Sequence, residues 1–524
     1  MENASLKKSL SIATIIMMSS VLLSRVMGLV REQVLAGFGG TSFEMDAYVT
    51  AFLIPELLNH FLAGGFLSIT FIPIFQRYLI KGDNENAWRS FSNLLTIGSI
   101  LFVILIPVTI IATPQILGLL GSHISDPAHK ALAVHLTRII LPAQIFFYWG
   151  AFFSAVQMAN NRFFLPALAP LCYNLGIILG GVILGPLIGI EGFAWGVLIG
   201  AFAGNILVQL PGAIKAGMKF SIRIDFKDHD LIEYVVKTIP LVLGLGMTFS
   251  NEIFFRFFGS FLPEGSTSSV NYALRTTMMV VAVFGQASGV AFFPFLSRLA
   301  VEKQFEKMAE LLNSVLMKIA IYLIPLSCLM MVLSKQIIAI LFEHGRFDAH
   351  ATTETAAVFS IYMIGTFAFS ASIIVARTFY AMQNTLLPMI VSTITSVLSI
   401  PLYIYFSRLL GGKGIALAAT IGITVQFLVL YLIWCYKHNL WRSALDITTK
   451  LLKVAVVSCL AACVAFLLKA EIIRLHFHFG KITYSLFICI SAAIPSILAT
   501  AVLYELTGLQ KFRMFIKGLL RNNK

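Results

Sequence analysis

About fourteen apolar runs, each long enough to cross a bilayer, constrain this chain more than any other feature. A membrane-spanning helix needs roughly 20 predominantly apolar residues. Runs of that kind fall at 9–30, 46–76, 91–118, 131–158, 163–187, 191–214, 231–258, 270–297, 308–334, 353–381, 386–407, 414–436, 449–468 and 482–506. They predict an all-α polytopic membrane protein. Composition agrees: 58% of the residues are hydrophobic and 12% charged, against roughly 45–50% and about 25% in a soluble protein. Lys7 and Lys8 precede the first run as they would in a signal peptide, but no small-residue cleavage site follows it. The run therefore reads as a retained first span.

An even number of spans puts both termini on one side. About 22 Lys and Arg residues also lie on that side, against about nine on the other. The first group includes Arg77, Lys81 and Arg89; Lys215, Lys219, Arg223 and Lys227; and the basic tail 511–524. The positive-inside rule places that side, and both termini, in the cytoplasm. The net charge of +14 is spread over short loops and this tail, which fits membrane topology better than nucleic-acid binding. The six cysteines all fall in apolar segments. Their spacing matches neither a metal site nor a secreted disulfide framework, so they read as buried small hydrophobes.

The chain repeats itself. FIPIFQR at 71–77 aligns with FFPFLSR at 292–298, and ANNRFFLP at 159–166 with AMQNTLLP at 381–388, at offsets of 221 and 222 residues. The repeat predicts two pseudo-symmetric six-helix lobes, 1–220 and 221–440, followed by two extra transmembrane helices within 441–510. Six is even, so the lobes share an orientation, and their pseudo-twofold axis runs along the membrane normal. Alternating-access transporters use this plan and hold substrate between the halves. A structural scaffold would tolerate the same duplication, so the charges inside the spans have to decide.

Arg25 and Arg31 fall in the second half of the first span, next to Ser24 and Glu32. An arginine at a helix centre costs about 2.5–3.5 kcal/mol to insert. Six residues at about 100° each set the two roughly 120° apart on a straight helix. Gly28 lies between them, and a bend there would let both guanidiniums face a wet cavity; snorkelling to the interface is the alternative. Arg275 in the eighth span is either a third cavity cation or an interfacial anchor. Glu56, Asn59 and His60 share one helix face. Glu252 and Arg256 form an i,i+4 pair that either neutralises itself or serves a site. Asp46 either acts as counter-charge to the arginines or belongs to a capping box in which Thr41 is the cap and Glu44 the third helical residue. If the arginines share a cavity it is cationic. Guanidinium forks match phosphate oxygens, so the substrate is an anion, a phosphate or pyrophosphate before others. No Walker loop, H-E-x-x-H motif or Ser–His–Asp arrangement is visible, so neither ATP use nor an enzyme is expected, and no metal or other cofactor. Coupling to the membrane potential or to a monovalent cation remains open.

SRVMGLVRE, MDAYVTAFLIPELL, FIPIFQRY and LFEHGRFDAHAT together resemble the MurJ/MviN family of lipid II flippases, within the multidrug/oligosaccharidyl-lipid/polysaccharide exporter superfamily. The resemblance implies a bundle of fourteen helices in the bacterial cytoplasmic membrane, moving lipid II from the inner to the outer leaflet for peptidoglycan synthesis. It implies that Arg25, Arg31 and Arg275 are the cavity arginines, with Asp46 as the acid opening the second helix. The extra helices, near 449–506, would take the polyprenyl tail. Its partners would be lipid II and the phospholipid bilayer, with other cell-wall synthesis proteins and no nucleic acid, around a monomer. The chain departs from the family at Leu53, Asn59 and His60, where basic residues are frequent. It also departs at Gly64, where an acid is frequent, at Glu32 for Asp, and at His344 for Arg. A flippase of another polyprenyl-linked oligosaccharide and a cation-coupled drug exporter are the alternatives; the exporter would call for an acidic, aromatic site.

Overall fold

The computed structural model describes residues 20, 23–59, 66–119, 127–160, 162–246, 250–475 and 480–510. Among these residues the regular structure is entirely helical. Eleven helices are long and apolar enough to cross a membrane, from Asn84–Leu119 to Lys481–Leu506. The three expected spans missing from that set, at 9–30, 46–76 and 231–258, each run through residues outside the described ones. The fold is the expected all-α polytopic one.

Two pairs of helices stand at the 222-residue offset of the second motif pair (349 − 127 and 386 − 164). The helices Pro127–Ala159 and Ala349–Ala381 are both 33 residues long, and Phe164–Ile188 and Leu386–Leu410 are both 25. The two F-x-P-F/I motifs both fall in helical segments, within Phe66–Ile80 and Ala287–Val301. Each carries an internal proline (Pro73, Pro294) and an arginine in its last turn (Arg77, Arg298).

Packing divides the chain into two compact units, 1–268 and 269–524. The seventh span therefore packs with the first unit, although the sequence repeat begins near residue 221. Polar contacts hold it there. The Arg77 guanidinium donates to Asp230 at 2.8 Å and Glu233 at 2.9 Å, and the Tyr78 hydroxyl donates to Asp230 at 2.8 Å. Within this unit, glycines bring two spans into backbone contact. A Cβ built on Gly176 would lie 2.3 Å from the Gly200 Cα, and one on Gly180 would lie 2.5 Å from the Gly196 Cα. Small residues spaced by four let membrane helices approach this closely.

In the second unit, the extra helices Trp441–Arg474 and Lys481–Leu506 pack with Phe305–Val332. The buried Tyr504 hydroxyl donates to the Ile321 carbonyl at 3.0 Å, and Lys469 Nζ to the Val332 carbonyl at 2.7 Å. The L-F-x-x-G-x-F segment is a built corner. Phe342 and Phe347 pack against Tyr272, all three buried, with ring centroids 5.2 and 5.5 Å from the tyrosine. Gly345 takes φ +61° in the intervening turn, a conformation that suits glycine. Asp348 then caps the next helix by accepting from the Ala351 amide at 2.8 Å.

Two local expectations change. The cap of the Phe43–Ala51 helix is Ser42, whose side chain accepts from the Met45 amide, and not Thr41. The preceding helix runs on past the expected end at 30, to residue 39, and the turn at Gly40 (φ +56°) ends it. The cysteines are also less uniformly buried than expected: Cys435 is buried, but Cys459 and Cys463 lie on an exposed face of Trp441–Arg474.

Candidate functional site

The helix 23–39 carries Ser24, Arg25, Arg31 and Glu32, and stays helical through Gly28. A Cβ on Gly28 would meet nothing within 4 Å, so close packing does not require the glycine. Arg25 lies on the exposed side of this helix and Ser24 is half-buried. Arg31 is turned inward. Its Nη1 donates to Asn174 Oδ1 at 3.1 Å and its Nη2 to Glu32 Oε1 at 2.6 Å. Asn174 is fixed in turn by donating to the Pro170 carbonyl at 2.9 Å. The guanidinium is thus hydrogen-bonded to its own neighbour and to the Phe164–Ile188 helix. Its Nε is buried without a hydrogen-bond acceptor. Asn174 was not singled out from the sequence, where it is one amide in the apolar run PLCYNLG.

Glu56, Glu252 and Arg256 form a second intramembrane group. Arg256, 2% exposed, clamps the Glu56 carboxylate with both terminal nitrogens: Nη1 bonds Oε2, and Nη2 bonds Oε1 at 2.9 Å. The Glu252 carboxylate is 3.9 Å away. The i,i+4 pair read from the sequence is thus the weaker contact, and the main partner comes from another span. The Phe255 ring also lies 5.0 Å from the guanidinium carbon. Asn59 is half-buried on the helix side of Glu56, Leu53 is buried in the core, and His60 and Gly64 lie outside the described residues.

Asp46 is 4% exposed, and its two oxygens accept from backbone amides at the start of the eighth span: Oδ2 from Gly265 at 2.8 Å and Oδ1 from Ser268 at 2.7 Å. A carboxylate there satisfies amides that a helix start leaves unpaired and complements its dipole. Beside it, Glu264 accepts from the Phe43 amide at 2.8 Å. Asp46 therefore ties the start of the second span to the start of the eighth, within the first unit.

Arg275 belongs to the second unit. It is half-buried on the helix Ser266–Val301, with Leu274, Thr276 and Thr277 buried around it. The helix begins at Ser266, four residues before the expected span, so Arg275 lies roughly 14 Å along it. His344 is exposed in the corner that follows Phe342. Among the described residues, His229, Asp230 and Glu233 approach one another closely enough to hold a metal ion. Their carboxylates already receive Arg77 and Lys237, so the group reads as an ion-pair cluster.

Eleven helices long and apolar enough to cross a membrane, with Arg256 buried and Arg31 half-buried among polar partners, define a polytopic membrane protein. Solved structures share its fold. One titled "Lipid II flippase MurJ, inward closed conformation" superposes with a TM-score of 0.76 at 24% identity, covering 94% of this chain and 99% of that one. An inward-facing multidrug resistance MATE family transporter of the MOP superfamily gives 0.66 at 15% identity, covering 83% of this chain and 98% of that one. Among curated proteins, the probable lipid II flippase MurJ of Treponema pallidum is 27% identical over 446 residues, 83% of each chain. The lipid II flippase MurJ of Burkholderia cenocepacia is 29% identical over 419 residues, 78% of this chain and 81% of its own. The family model described as "Lipid II flippase MurJ" matches residues 35–487. The chain belongs to that family and is a multi-pass membrane protein.

Proposed function

We propose that this protein translocates lipid II, the undecaprenyl-pyrophosphate-linked peptidoglycan precursor, from the cytoplasmic to the outer leaflet by alternating access. The observation that carries this reading is the family match over residues 35–487, joined to arginines held inside apolar spans. Arg25, Arg31 and Arg275 are the residues assigned to the pyrophosphate. In a site of low dielectric, guanidinium forks bind diphosphate oxygens by charge-assisted, bidentate hydrogen bonds. Arg31 is preorganised for that task by Asn174. Glu32 balances its charge until an anion arrives, and the arriving pyrophosphate competes with the Glu32 carboxylate for the same nitrogens. Asp46, and the Glu56–Arg256–Glu252 group, act as gating elements that tie spans of the first unit together; Ser24 and Asn59 complete the polar lining.

The two repeats work as the moving lobes. The extra helices Trp441–Arg474 and Lys481–Leu506 offer an apolar surface for the polyprenyl tail. Both termini face the cytoplasm, as the positive-inside bias requires. The inside-negative potential drives the return of an empty, cationic site, at about 2.3 kcal/mol per charge per 100 mV. The protein acts as a monomer in the bacterial cytoplasmic membrane, and no cofactor takes part.

The test is complementation of a conditional flippase mutant. The intact gene should restore growth. Arg25→Ala, Arg31→Ala and Arg275→Ala should each fail while still inserting at normal levels. Growth supported by all three variants would remove the arginines from the mechanism.

A further inference from the structure

The segment 218–227, Met-Lys-Phe-Ser-Ile-Arg-Ile-Asp-Phe-Lys, joins the sixth and seventh spans and is not helical. It is strapped along the first turns of the Asn84–Leu119 helix by its backbone. Asn93 makes a two-way bond, with its Nδ2 donating to the Asp225 carbonyl at 2.9 Å and its Oδ1 accepting from the Asp225 amide at 2.8 Å. The Ser221 amide donates to Ser92 Oγ at 3.2 Å, and the Arg223 amide to Thr96 Oγ1 at 3.4 Å. Alternate backbone amides are thus held by side chains of one helix, and the segment has a fixed place.

Held this way, it presents apolar side chains outward. Phe220, Ile222, Ile224 and Phe226 are 50%, 81%, 54% and 69% exposed. A connection in water would not leave four large apolar side chains in one short stretch uncovered. Two neighbouring features say what covers them. The anchor residues 92–96 lie directly below the exposed apolar stripe of the same helix, which begins at Ile100 and Leu101 and continues through Val103, Ile104, Val108 and Ile111. Ile232, Val235 and Val236 on the following helix extend the exposed apolar surface on the other side. The strap is therefore continuous with the face this span offers to lipid. Exposed basic residues flank the apolar ones: Lys215, Lys219 and Lys227 are exposed, while Arg223 and Arg89 are 3.5 and 3.9 Å from the Asp225 carboxylate, which they balance.

We propose that residues 218–227 form an interfacial anchor, seated in the bilayer surface with Phe220, Ile222, Ile224 and Phe226 at the acyl boundary and the basic side chains on anionic phospholipid headgroups. Apolar residues interleaved with Lys and Arg bind anionic interfaces in this way. The anchor fixes the start of the seventh span at a set depth. Asp228, immediately after it, caps that helix by accepting from the Asp230 amide at 2.8 Å. This surface lies outside the arginine site, and the proposal does not depend on what is transported.

The test uses the full chain with its six cysteines replaced by serine, one carrying Ile222→Cys and a reference carrying Lys81→Cys. Each is labelled with the same environment-sensitive fluorophore and reconstituted, with no other protein, into vesicles containing roughly one-third phosphatidylglycerol or phosphatidylcholine alone. In the anionic vesicles the label at position 222 should be quenched by doxyl-bearing lipid and several-fold less by aqueous iodide than the label at position 81. Lipid quenching should fall in phosphatidylcholine, and also when Lys215, Lys219 and Lys227 are all changed to Gln. Equal iodide quenching at both positions would overturn the anchor, since it leaves the strap in water for a soluble partner. Shielding from both quenchers would overturn it too, because protein and not lipid would then be the cover. Lipid quenching that ignores both the headgroup and the Gln changes would refute the anionic preference. Correct insertion is read independently from the Lys81→Cys twin.

Discussion

Charged residues inside an apolar run are legible in a sequence because burying them is costly, so each one asks for a partner. The partner is the part that stays hidden. Arg256 was visible as one half of an i,i+4 pair, yet its carboxylate clamp comes from Glu56, 200 residues earlier in the chain. Arg31 was visible, but Asn174 was not, because a single amide in an apolar run has no spacing rule attached to it. Asp46 showed the same limit: the local pattern placed it either in a helix start capped by Thr41 or opposite the arginines, and its oxygens serve Gly265 and Ser268. The Glu56–Arg256 pair gives a direct test. Removing one member of a fully buried pair costs about 3–5 kcal/mol, and less is expected here, where the Glu56 side chain is 30% exposed and Glu252 stays 3.9 Å from Arg256. Glu56→Gln should therefore lower the unfolding temperature in detergent. Glu56→Gln combined with Arg256→Met should recover part of the loss, because no unpaired guanidinium is left behind. A double variant that loses the sum of both single effects would show that the two residues do not act as a pair.

Elements were the most legible scale. Lipid admits helices of a length set by the bilayer, so hydropathy alone located most spans. The close contacts between helices were not legible, because a glycine in an apolar run looks the same whether it packs or not. Gly28 and Gly196 separate the two cases. A Cβ on Gly196 would lie 2.6 Å from the Gly176 carbonyl oxygen and 2.9 Å from the Ile177 Cα, both backbone atoms that cannot swing aside. Gly196→Leu should destabilise by about 1–3 kcal/mol or more through overpacking. Gly28→Ala, with open space around it, should be neutral or slightly stabilising, since alanine is favoured in a helix by up to about 1 kcal/mol. Thermal unfolding of the two variants checks this, and equal losses would contradict it. The corner at 342–348 makes a second contrast. Phe347→Ala removes a buried ring from the Tyr272 cluster and should cost about 3–5 kcal/mol. His344→Ala, exposed in the same corner, should leave the unfolding temperature unchanged.

For the whole molecule, the sequence resolved the class through composition and the family through a few motifs, and the match over residues 35–487 agrees with both. Packing added a division that the repeat did not predict: the expectation from the repeat was a boundary near residue 221, whereas the seventh span is tied through Arg77 and Glu56 to the first unit. A repeat records how the chain was duplicated, whereas packing records which surfaces found partners, and the two need not break at the same residue. The central claim is that this chain carries lipid II across the membrane and that its intramembrane arginines make the transfer possible. The most direct measurement is the amount of lipid II accessible at the outer face of cells depleted of their own flippase and expressing this chain. The account predicts that lipid II reappears at the outer face with the intact chain and stays trapped inside with Arg31→Ala at equal expression. Outer-face lipid II that does not rise with the intact chain, or that rises equally with Arg31→Ala, would contradict it.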